Sequence, residues 1–194
     1  MRSIRYKIFS KLSITTVLTT VVMLFLVSSC TDDKIETADK KQQREKLPQL
    51  KAENISTIIS DSGVTRYRIT ASEWKIYDKT KEPYWVFPKG IYFERFNQEY
   101  KIDADMKANK AIYFQQKSLW EFVGNVKAKN LEGEYFETEQ LFWDESNERI
   151  YSDKKIKITQ KTKIINGIGF ESNPTLTRYV IRNPQGIIPI DETP

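Results

Sequence analysis

Apolar and polar residues alternate with a period of two in several short segments after about residue 50. This period is typical of a β-strand that turns one face toward a core and the other toward solvent. Between these segments the residues are charged or small, and no long apolar pattern with helical spacing occurs. The clearest alternating sets are Tyr67, Ile69 and Ala71; Trp120, Phe122 and Val126; and Ile156 and Ile158.

Turn-forming residues separate these segments at regular intervals. Glycine, proline, asparagine and aspartate are the residues that punctuate strands. They cluster at residues 61–63, 87–90, 124–125, 173–174 and 183–186. Each cluster is therefore predicted to be a turn. Many short strands with regular turns predict an all-β domain of the sandwich, barrel or jelly-roll type.

The first 29 residues have a different pattern. Arg2, Arg5, Lys7 and Lys11 precede an uncharged apolar stretch that ends in two serines and Cys30. This order is typical of a secretory signal. The apolar stretch is shorter than the roughly 20 residues of a spanning helix, although tilt or bilayer thinning would let it serve as an uncleaved anchor.

Cys30 is the only cysteine of the chain. The string Leu26-Val27-Ser28-Ser29-Cys30 resembles a bacterial lipobox, in which the cysteine is lipidated and becomes the mature N-terminus. The alternative is an incidental or buried cysteine. Lipidation would hold the protein at a membrane, because each buried methylene contributes about 0.8 kcal/mol.

The predicted organisation has three parts. Residues 1–29 are a signal peptide or anchor, residues 30–49 a polar tether, and residues 50–194 a single β domain. The tether is highly charged and has almost no aliphatic residues, so it cannot bury enough apolar area to offset the entropy of ordering. A short solvated helix is the alternative for this segment.

Composition excludes several classes of function. The formal net charge of +5 falls to +1 once residues 1–29 are removed, which weakens a nucleic-acid interpretation. The chain has no histidine, so Ser-His-Asp and Cys-His nucleophile systems and histidine-based zinc sites are excluded. Carboxylate, lysine or tyrosine chemistry stays open in principle, but no enzyme motif supports it. We therefore predict a protein that is not an enzyme, with no cofactor or metal.

An ordered set of short motifs covers about residues 54–186, and each motif alone is a generic strand or turn. The motifs are Asp61-Ser62-Gly63, Tyr67-Arg68-Ile69-Thr70-Ala71, Tyr77, Pro88, Gly124-Asn125-Val126, Thr138-Glu139-Gln140-Leu141, Gly167-Ile168-Gly169-Phe170, Tyr179-Val180-Ile181 and Gly186. In this order and spacing they resemble the LptC family, the periplasmic subunit of lipopolysaccharide transport.

The resemblance implies a single open, twisted β-jelly roll whose hydrophobic interior shields the acyl chains of lipopolysaccharide. Such a domain lies at the periplasmic face of the inner membrane. It receives lipopolysaccharide from an inner-membrane ABC transporter at its N-terminal edge. It passes the lipid to the bridge protein LptA at its C-terminal edge. Exposed strand edges would then serve as docking sites through strand addition.

Two sets of residues are candidates for these roles. Inward positions and one tryptophan are candidates for lipid binding: Ile69, Ala71, Trp85, Ile102, Phe122, Phe136 and Ile158. An ordinary dry core is the alternative for each of them. The resemblance places Gly167, Gly169, Tyr179 and Ile181 near the partner edge. The glycines are also expected to serve a bulge or a close strand approach, and residues 179–182 are either an edge strand or an internal one.

Three points leave alternatives open. Better-known LptC members keep an uncleaved transmembrane helix, so a lipidated Cys30 would be a departure from the family. The lysines at 154, 155, 157, 161 and 163 either attract lipid phosphates or form a solvated face. The rival function is a structural or carbohydrate-binding β-sandwich lipoprotein, which a filled core and a surface aromatic patch would favour.

Overall fold

The computed structural model describes residues 47–189, except for the side chains of Asp61 and Ile188. The predicted signal segment, Cys30, the tether up to residue 46 and the last five residues lie outside the described residues. The strands are β1 (Leu50–Asp61), β2 (Val64–Tyr77), β3 (Tyr84–Phe87), β4 (Ile91–Phe96), β5 (Ile102–Ala108), β6 (Lys110–Phe114), β7 (Leu119–Asn130), β8 (Tyr135–Asp144), β9 (Arg149–Thr159), β10 (Lys163–Ser172) and β11 (Tyr179–Pro189).

All eleven strands belong to one antiparallel sheet, which confirms the predicted all-β, jelly-roll-like fold. Among residues 47–189, one 3-10 turn, Gln115–Lys117, interrupts the strands. Within residues 47–189, no helix has the length and apolarity that crossing a membrane requires.

The sheet is a meander in chain order, built from long strands that bend near their middle. Strands β3 and β4 act as two halves of one bent strand, because β2 pairs with both of them. Strands β5 and β6 do the same, because β7 pairs with both. Strand β3 pairs with β6, and β4 pairs with β5. Neighbours in the chain are therefore neighbours in the sheet.

The bends lie side by side across the sheet. The amide of Gly90 donates to the carbonyl oxygen of Asn109 at 2.7 Å, and the amide of Asn109 donates to that of Gly124 at 2.9 Å. Gly90 and Gly124 have φ values of +90° and +78°, and Asn125 has a φ of +47°. These left-handed conformations favour glycine and asparagine. Further along the sheet, register shifts in β8 and β10 continue the same line.

Two of the predicted turns are wrong, because their residues lie at bends inside strands. Gly124 and Asn125 form a bulge inside β7, where the register shifts between Val123 and Val126. Residues 183–186 lie inside β11, opposite a register shift between Asn166 and Gly167. A bulge needs the same permissive residues as a turn, but it bends the strand without reversing it. The predicted turns at residues 61–63, 87–90 and 173–174 do connect strands.

The line of bends divides the sheet into two half-sheets. The β4 half-sheet contains β4, β5 and residues 126–130 of β7, and it continues into residues 135–138 of β8. The β3 half-sheet contains β3, β6 and residues 119–123 of β7, and it continues into residues 141–144 of β8.

Aromatic contacts show that the half-sheets face each other. Phe93 of the β4 half-sheet lies 5.3 Å from Trp143 of the β3 half-sheet, measured between ring centroids. Tyr67 reaches the same ring at 5.1 Å. The predicted inward residues Ile69, Ala71, Trp120, Phe122, Val126, Ile156 and Ile158 are all buried in the core between the half-sheets. This confirms the alternation as a signal of inward orientation.

Two strands end the meander. Within the described residues, β1 pairs only with β2, and β11 pairs only with β10. Each therefore leaves one row of backbone amides and carbonyls without a strand partner. Of the two alternatives left open for residues 179–182, the described sheet has the edge strand and not the internal one.

Candidate functional site

A cavity of about 490 Å³ lies between the half-sheets at one end of the core. Half of the lining residues are aromatic, and both half-sheets contribute to the lining. The aromatic lining residues include Tyr67, Trp85, Tyr113, Trp120 and Trp143. The predicted lipid-binding candidate Trp85 therefore lies at a cavity and is only half-buried.

The aromatic wall is a cross-strand row in the β3 half-sheet. Trp85 lies opposite Tyr113, Tyr113 opposite Trp120, and Trp120 opposite Trp143. Ring centroids are 5.1 Å apart for Trp85 and Tyr113, and 4.6 Å apart for Tyr113 and Trp120. Paired positions on one face of a sheet are close enough for such contacts, and aromatic pairs stabilise it. The rings from Trp85 to Trp120 therefore form one contiguous aromatic cluster at the cavity.

Glu145 is an acidic group at this wall. Its carboxylate accepts a hydrogen bond from the hydroxyl of Tyr113 at 3.1 Å and another from Nε1 of Trp120 at 3.3 Å. Burial raises the pKa of Glu145, although the two hydrogen bonds oppose the shift. Burial and the neighbouring Glu145 raise the pKa of Tyr113 to about 12. The tyrosine is therefore a neutral donor at physiological pH.

Two buried donors at the cavity have no hydrogen-bond acceptor within residues 47–189. They are Nη1 of Arg95 and Nε1 of Trp143. Arg95 also lies 3.5 Å from the carboxylate of Asp103, measured from Nη1 to Oδ2. A buried donor without an acceptor is costly. The polar side chain of Arg95 and the indole of Trp143 thus lie beside the aromatic residues of the cavity.

Most other lipid-binding candidates do not line this cavity. Ile69, Ala71, Phe122, Phe136 and Ile158 are buried in the packed core. Their contact with lipid stays a prediction, because it requires the half-sheets to separate or the core to open.

The predicted inward position of Ile102 is wrong. Ile102 is 38% exposed and pairs with Phe96, after a register shift between Arg95 and Phe96. The shift turns Asp103 inward toward Arg95 instead. A bulge inserts one residue and reverses which side chains point inward.

The four predicted partner-interface residues lie in β10 and β11. Gly167 and Gly169 belong to β10, which is paired on both sides, so they are next to the free edge and not on it. A Cβ at Gly167 would meet Ile181, and a Cβ at Gly169 would lie 2.7 Å from Nε of Arg182. Gly169 also has a φ of +77°. The predicted backbone role of both glycines, as a close strand approach or a bulge, is confirmed.

Tyr179 and Ile181 turn their side chains toward the interior. The ring of Tyr179 packs edge-on against Phe136 at 5.3 Å. Both residues are half-buried and pack against the core. The exposed apolar side chains of the edge strand are Val180 and Ile187 instead. A role of β11 in binding a partner stays a prediction.

Sequence reasoning missed most of the cavity. Tyr67 and Trp120 were predicted to point inward, but Tyr113, Trp143, Arg95 and Glu145 were not candidates. The available signal was the recurrence of tryptophan and tyrosine in successive strands. Their alignment depends on cross-strand register, which a single sequence does not reveal. Within the described part of the chain, no group of three or more acidic residues is placed to hold a metal ion.

Comparisons with known proteins bear on this geometry. A search of curated proteins finds no significant match. The family model described as "Lipopolysaccharide-assembly, LptC-related" matches residues 15–183. The match covers most of the chain and includes the described sheet from β1 into β11. The chain therefore belongs to the LptC-related family of lipopolysaccharide assembly.

Proposed function

We propose that this protein is a membrane-anchored periplasmic adaptor of lipopolysaccharide export. In this role it accepts lipopolysaccharide from an inner-membrane ABC transporter and passes it to an LptA-like bridge protein. Family membership supports involvement in lipopolysaccharide transport. The observation that carries the adaptor role is one bent sheet that encloses an aromatic cavity and ends in two edge strands, β1 and β11.

The physical argument joins the interior to the edges. Acyl chains need an apolar surface shielded from water, which the wall of Trp85, Tyr113 and Trp120 offers. The unpaired side of an edge strand is a template for another strand, so a neighbouring domain can extend the sheet. We assign β1 to the transporter side and β11 to the bridge side. Neither step requires a nucleophile or a metal.

Binding of lipopolysaccharide tests the role directly. We expect the full chain in nanodiscs to bind fluorescent lipopolysaccharide saturably, with empty nanodiscs as background. Trp85→Ala should lower the affinity several-fold, because it removes aromatic area from the cavity. Phe142→Ala is the matched control, since Phe142 is a half-buried aromatic of the β3 half-sheet that does not line the cavity. Absence of saturable binding by the unmodified chain would rule out the adaptor role.

A second experiment addresses the β11 edge. Val180→Lys places a charge on the edge strand, and Leu131→Lys places one on the β7–β8 turn; the two side chains are 66% and 64% exposed. Lysine on an edge strand opposes strand pairing. We expect Val180→Lys to reduce recovery of an LptA-like partner in a pull-down, and Leu131→Lys to leave it unchanged. Equal recovery with both variants would contradict the edge assignment. A substitution at Gly169 is less suitable, because it would strain β10 itself.

The anchor and the location are part of the proposal. We propose that the protein is held at the periplasmic face of the inner membrane by lipid on Cys30 or by an uncleaved N-terminal helix. Mass spectrometry of the membrane-extracted protein distinguishes the two. A diacylated or triacylated N-terminal Cys30 supports lipidation, whereas an intact Met1 contradicts it.

A second candidate function is recognition of an anionic saccharide on the outer face of the β4 half-sheet. Tyr92 and Tyr135 are 38% and 48% exposed there and line a groove with Lys107 and Lys129. Aromatic faces stack on sugar rings, and lysines attract phosphate or carboxylate groups. The double variant Tyr92→Ala/Tyr135→Ala should then abolish binding of a phosphorylated oligosaccharide. Unchanged binding would exclude this face.

A further inference from the structure

The loop between β10 and β11, residues 173–178, enters the space between the half-sheets. Leu176 of this loop is fully buried and belongs to the hydrophobic core. It lies with Phe93 and Met106 of the β4 half-sheet and with Trp143 of the β3 half-sheet. Free space of only about 20 Å³ remains among these side chains. One loop residue thus fills the interior at this point.

Specific polar contacts hold Leu176 in this position. Nδ2 of the buried Asn130 donates to the carbonyl oxygen of Leu176 at 3.0 Å, and also to Oε2 of Glu134 at 2.8 Å. The amide of Leu176 donates to the carbonyl oxygen of Asn173 at 3.0 Å. The backbone of Leu176 is left-handed, with a φ of +57°. A leucine rarely adopts this conformation, and it persists only where surrounding contacts enforce it.

The space occupied by Leu176 adjoins the aromatic cavity. Both are lined by Arg95, Trp143 and Pro174. Pro174 belongs to the same loop as Leu176. Withdrawal of the loop would therefore remove the separation between them and extend the cavity toward Met106 and Ile150. The extended space would be lined mainly by apolar side chains.

We propose that Leu176 is an internal plug, which fills the place of a lipid acyl chain and withdraws when the chain enters. This inference rests on the proposed lipid-binding function of the interior. An acyl chain can replace Leu176 because its methylenes offer the same apolar contacts to Phe93, Met106 and Trp143. Asn130 is the clamp that keeps the plug seated, since its side chain bonds to the backbone of Leu176 and not to the leucine side chain.

The plug also connects the interior to the edge strand. The loop runs directly into β11 through Arg178, whose carbonyl oxygen accepts a hydrogen bond from Ser172 at 3.0 Å. Tyr179, the first residue of β11, packs on Phe136 in the core. Entry of lipid would therefore change the position of the first residues of β11. The same movement that admits lipid would alter the edge proposed for the bridge partner.

Truncation of the plug tests the inference, with a matched control in the core. Leu176→Ala and Leu141→Ala remove the same atoms from two fully buried leucines, but Leu141 lies in β8 and lines neither the cavity nor the space around Leu176. The probe is fluorescent lipid A, titrated against the full chain in nanodiscs. We expect Leu176→Ala to bind several-fold more tightly than the unmodified chain. Leu141→Ala should lose comparable stability without a gain in affinity.

Asn130→Ala provides a second variant that keeps the leucine side chain and removes the clamp. This variant should also increase the affinity for lipid A. It tests the plug by itself if Leu176→Ala does not fold. Unchanged affinity in both Leu176→Ala and Asn130→Ala, or an equal gain in Leu141→Ala, would contradict the proposal that Leu176 is a plug. Failure of the unmodified chain to bind lipid A would instead remove the proposed function on which the plug rests.

Discussion

Two largely buried carboxylates, Glu145 and Glu73, have pKa values that shift in opposite directions. Glu145 has two neutral donors and no cation within ion-pair distance among the described residues, so burial dominates and raises its pKa. Glu73 accepts from Lys75 at 2.8 Å and from Lys89 at 2.6 Å, and these hydrogen bonds lower its pKa to about 2. The neighbouring cations decide the sign of the shift.

Replacement of Glu145 by glutamine is expected to raise the thermal midpoint at pH 7. A raised pKa means that the folded state disfavours the charged form, and glutamine imitates the neutral acid. The penalty is present above the folded pKa and disappears as the pH falls below 4.5, the usual pKa of glutamate. The difference from the unmodified protein should therefore shrink on acidification. Thermal unfolding followed by circular dichroism between pH 3 and pH 7 measures it.

Glu73→Gln is the control of opposite sign for that series. The lowered pKa of Glu73 stabilises the fold above pH 4.5, and this contribution is lost as the pH falls toward about 2. The variant should thus be less stable than the unmodified protein at pH 7 and approach it at low pH. If both glutamine variants shifted the midpoint in the same direction at pH 7, the assignment of Glu145 as a penalised charge would be wrong.

At the scale of elements, the bends determine where each strand changes half-sheet. In β8 the buried side chains are Phe136 and Thr138 before the bend, and Leu141 and Trp143 after it. The alternation thus changes phase at the bend, where the register of β8 with both β7 and β9 also shifts. If β8 kept one phase throughout, one half of it would turn its apolar side chains toward solvent.

The bend of β7 can be tested with a pair of glycines. Gly124 and Gly133 both have positive φ values, +78° and +80°, but only Gly124 has close neighbours. A Cβ at Gly124 would lie 3.0 Å from Nδ2 of Asn109, whereas nothing lies within 4 Å at Gly133. We expect Gly133→Ala to cost about 1 kcal/mol for the left-handed backbone alone. Gly124→Ala should cost more, because Asn109 must also move. Urea denaturation compares the two, and equal costs would argue against a tight bend at Gly124.

At the scale of the whole molecule, the meander gives the described chain one core and two ends. Every hydrogen-bonded strand pair is antiparallel, and bent strands that follow each other in the chain lie side by side. Strand β1 contributes to the same core, since Ile55 and Ile59 pack against it. The predicted domain from residue 50 onward therefore includes β1 as an integral part.

We expect a chain that begins at residue 42 to unfold in one transition with the midpoint of the full protein. A chain that begins at residue 63 should be much less stable, because it lacks β1 and exposes one edge of β2 along most of its length. Calorimetry of the two truncated chains and the full chain measures this. A midpoint for the first truncation well below that of the full chain would contradict the predicted domain boundary.

The sequence by itself determined the all-β class, the family and several of the inward-facing residues, including Ile69, Phe122 and Ile158. These features are local, because burial of one face imposes a period of two on each strand independently of its neighbours. Trp85 was also identifiable as a candidate for lipid binding, because its aromatic run lies between polar and turn-forming segments.

Only the tertiary structure decided features that depend on how distant strands pair. The bulge at Gly124 and the outward position of Ile102 follow from cross-strand register. The aromatic wall exists because Trp85, Tyr113, Trp120 and Trp143 align across four strands. Leu176 lies in a loop with no strand pattern, and its burial depends on Phe93, Met106 and Trp143, which are far from it in sequence. These side chains are distant in sequence, and they come together only when the strands pair and the sheet bends.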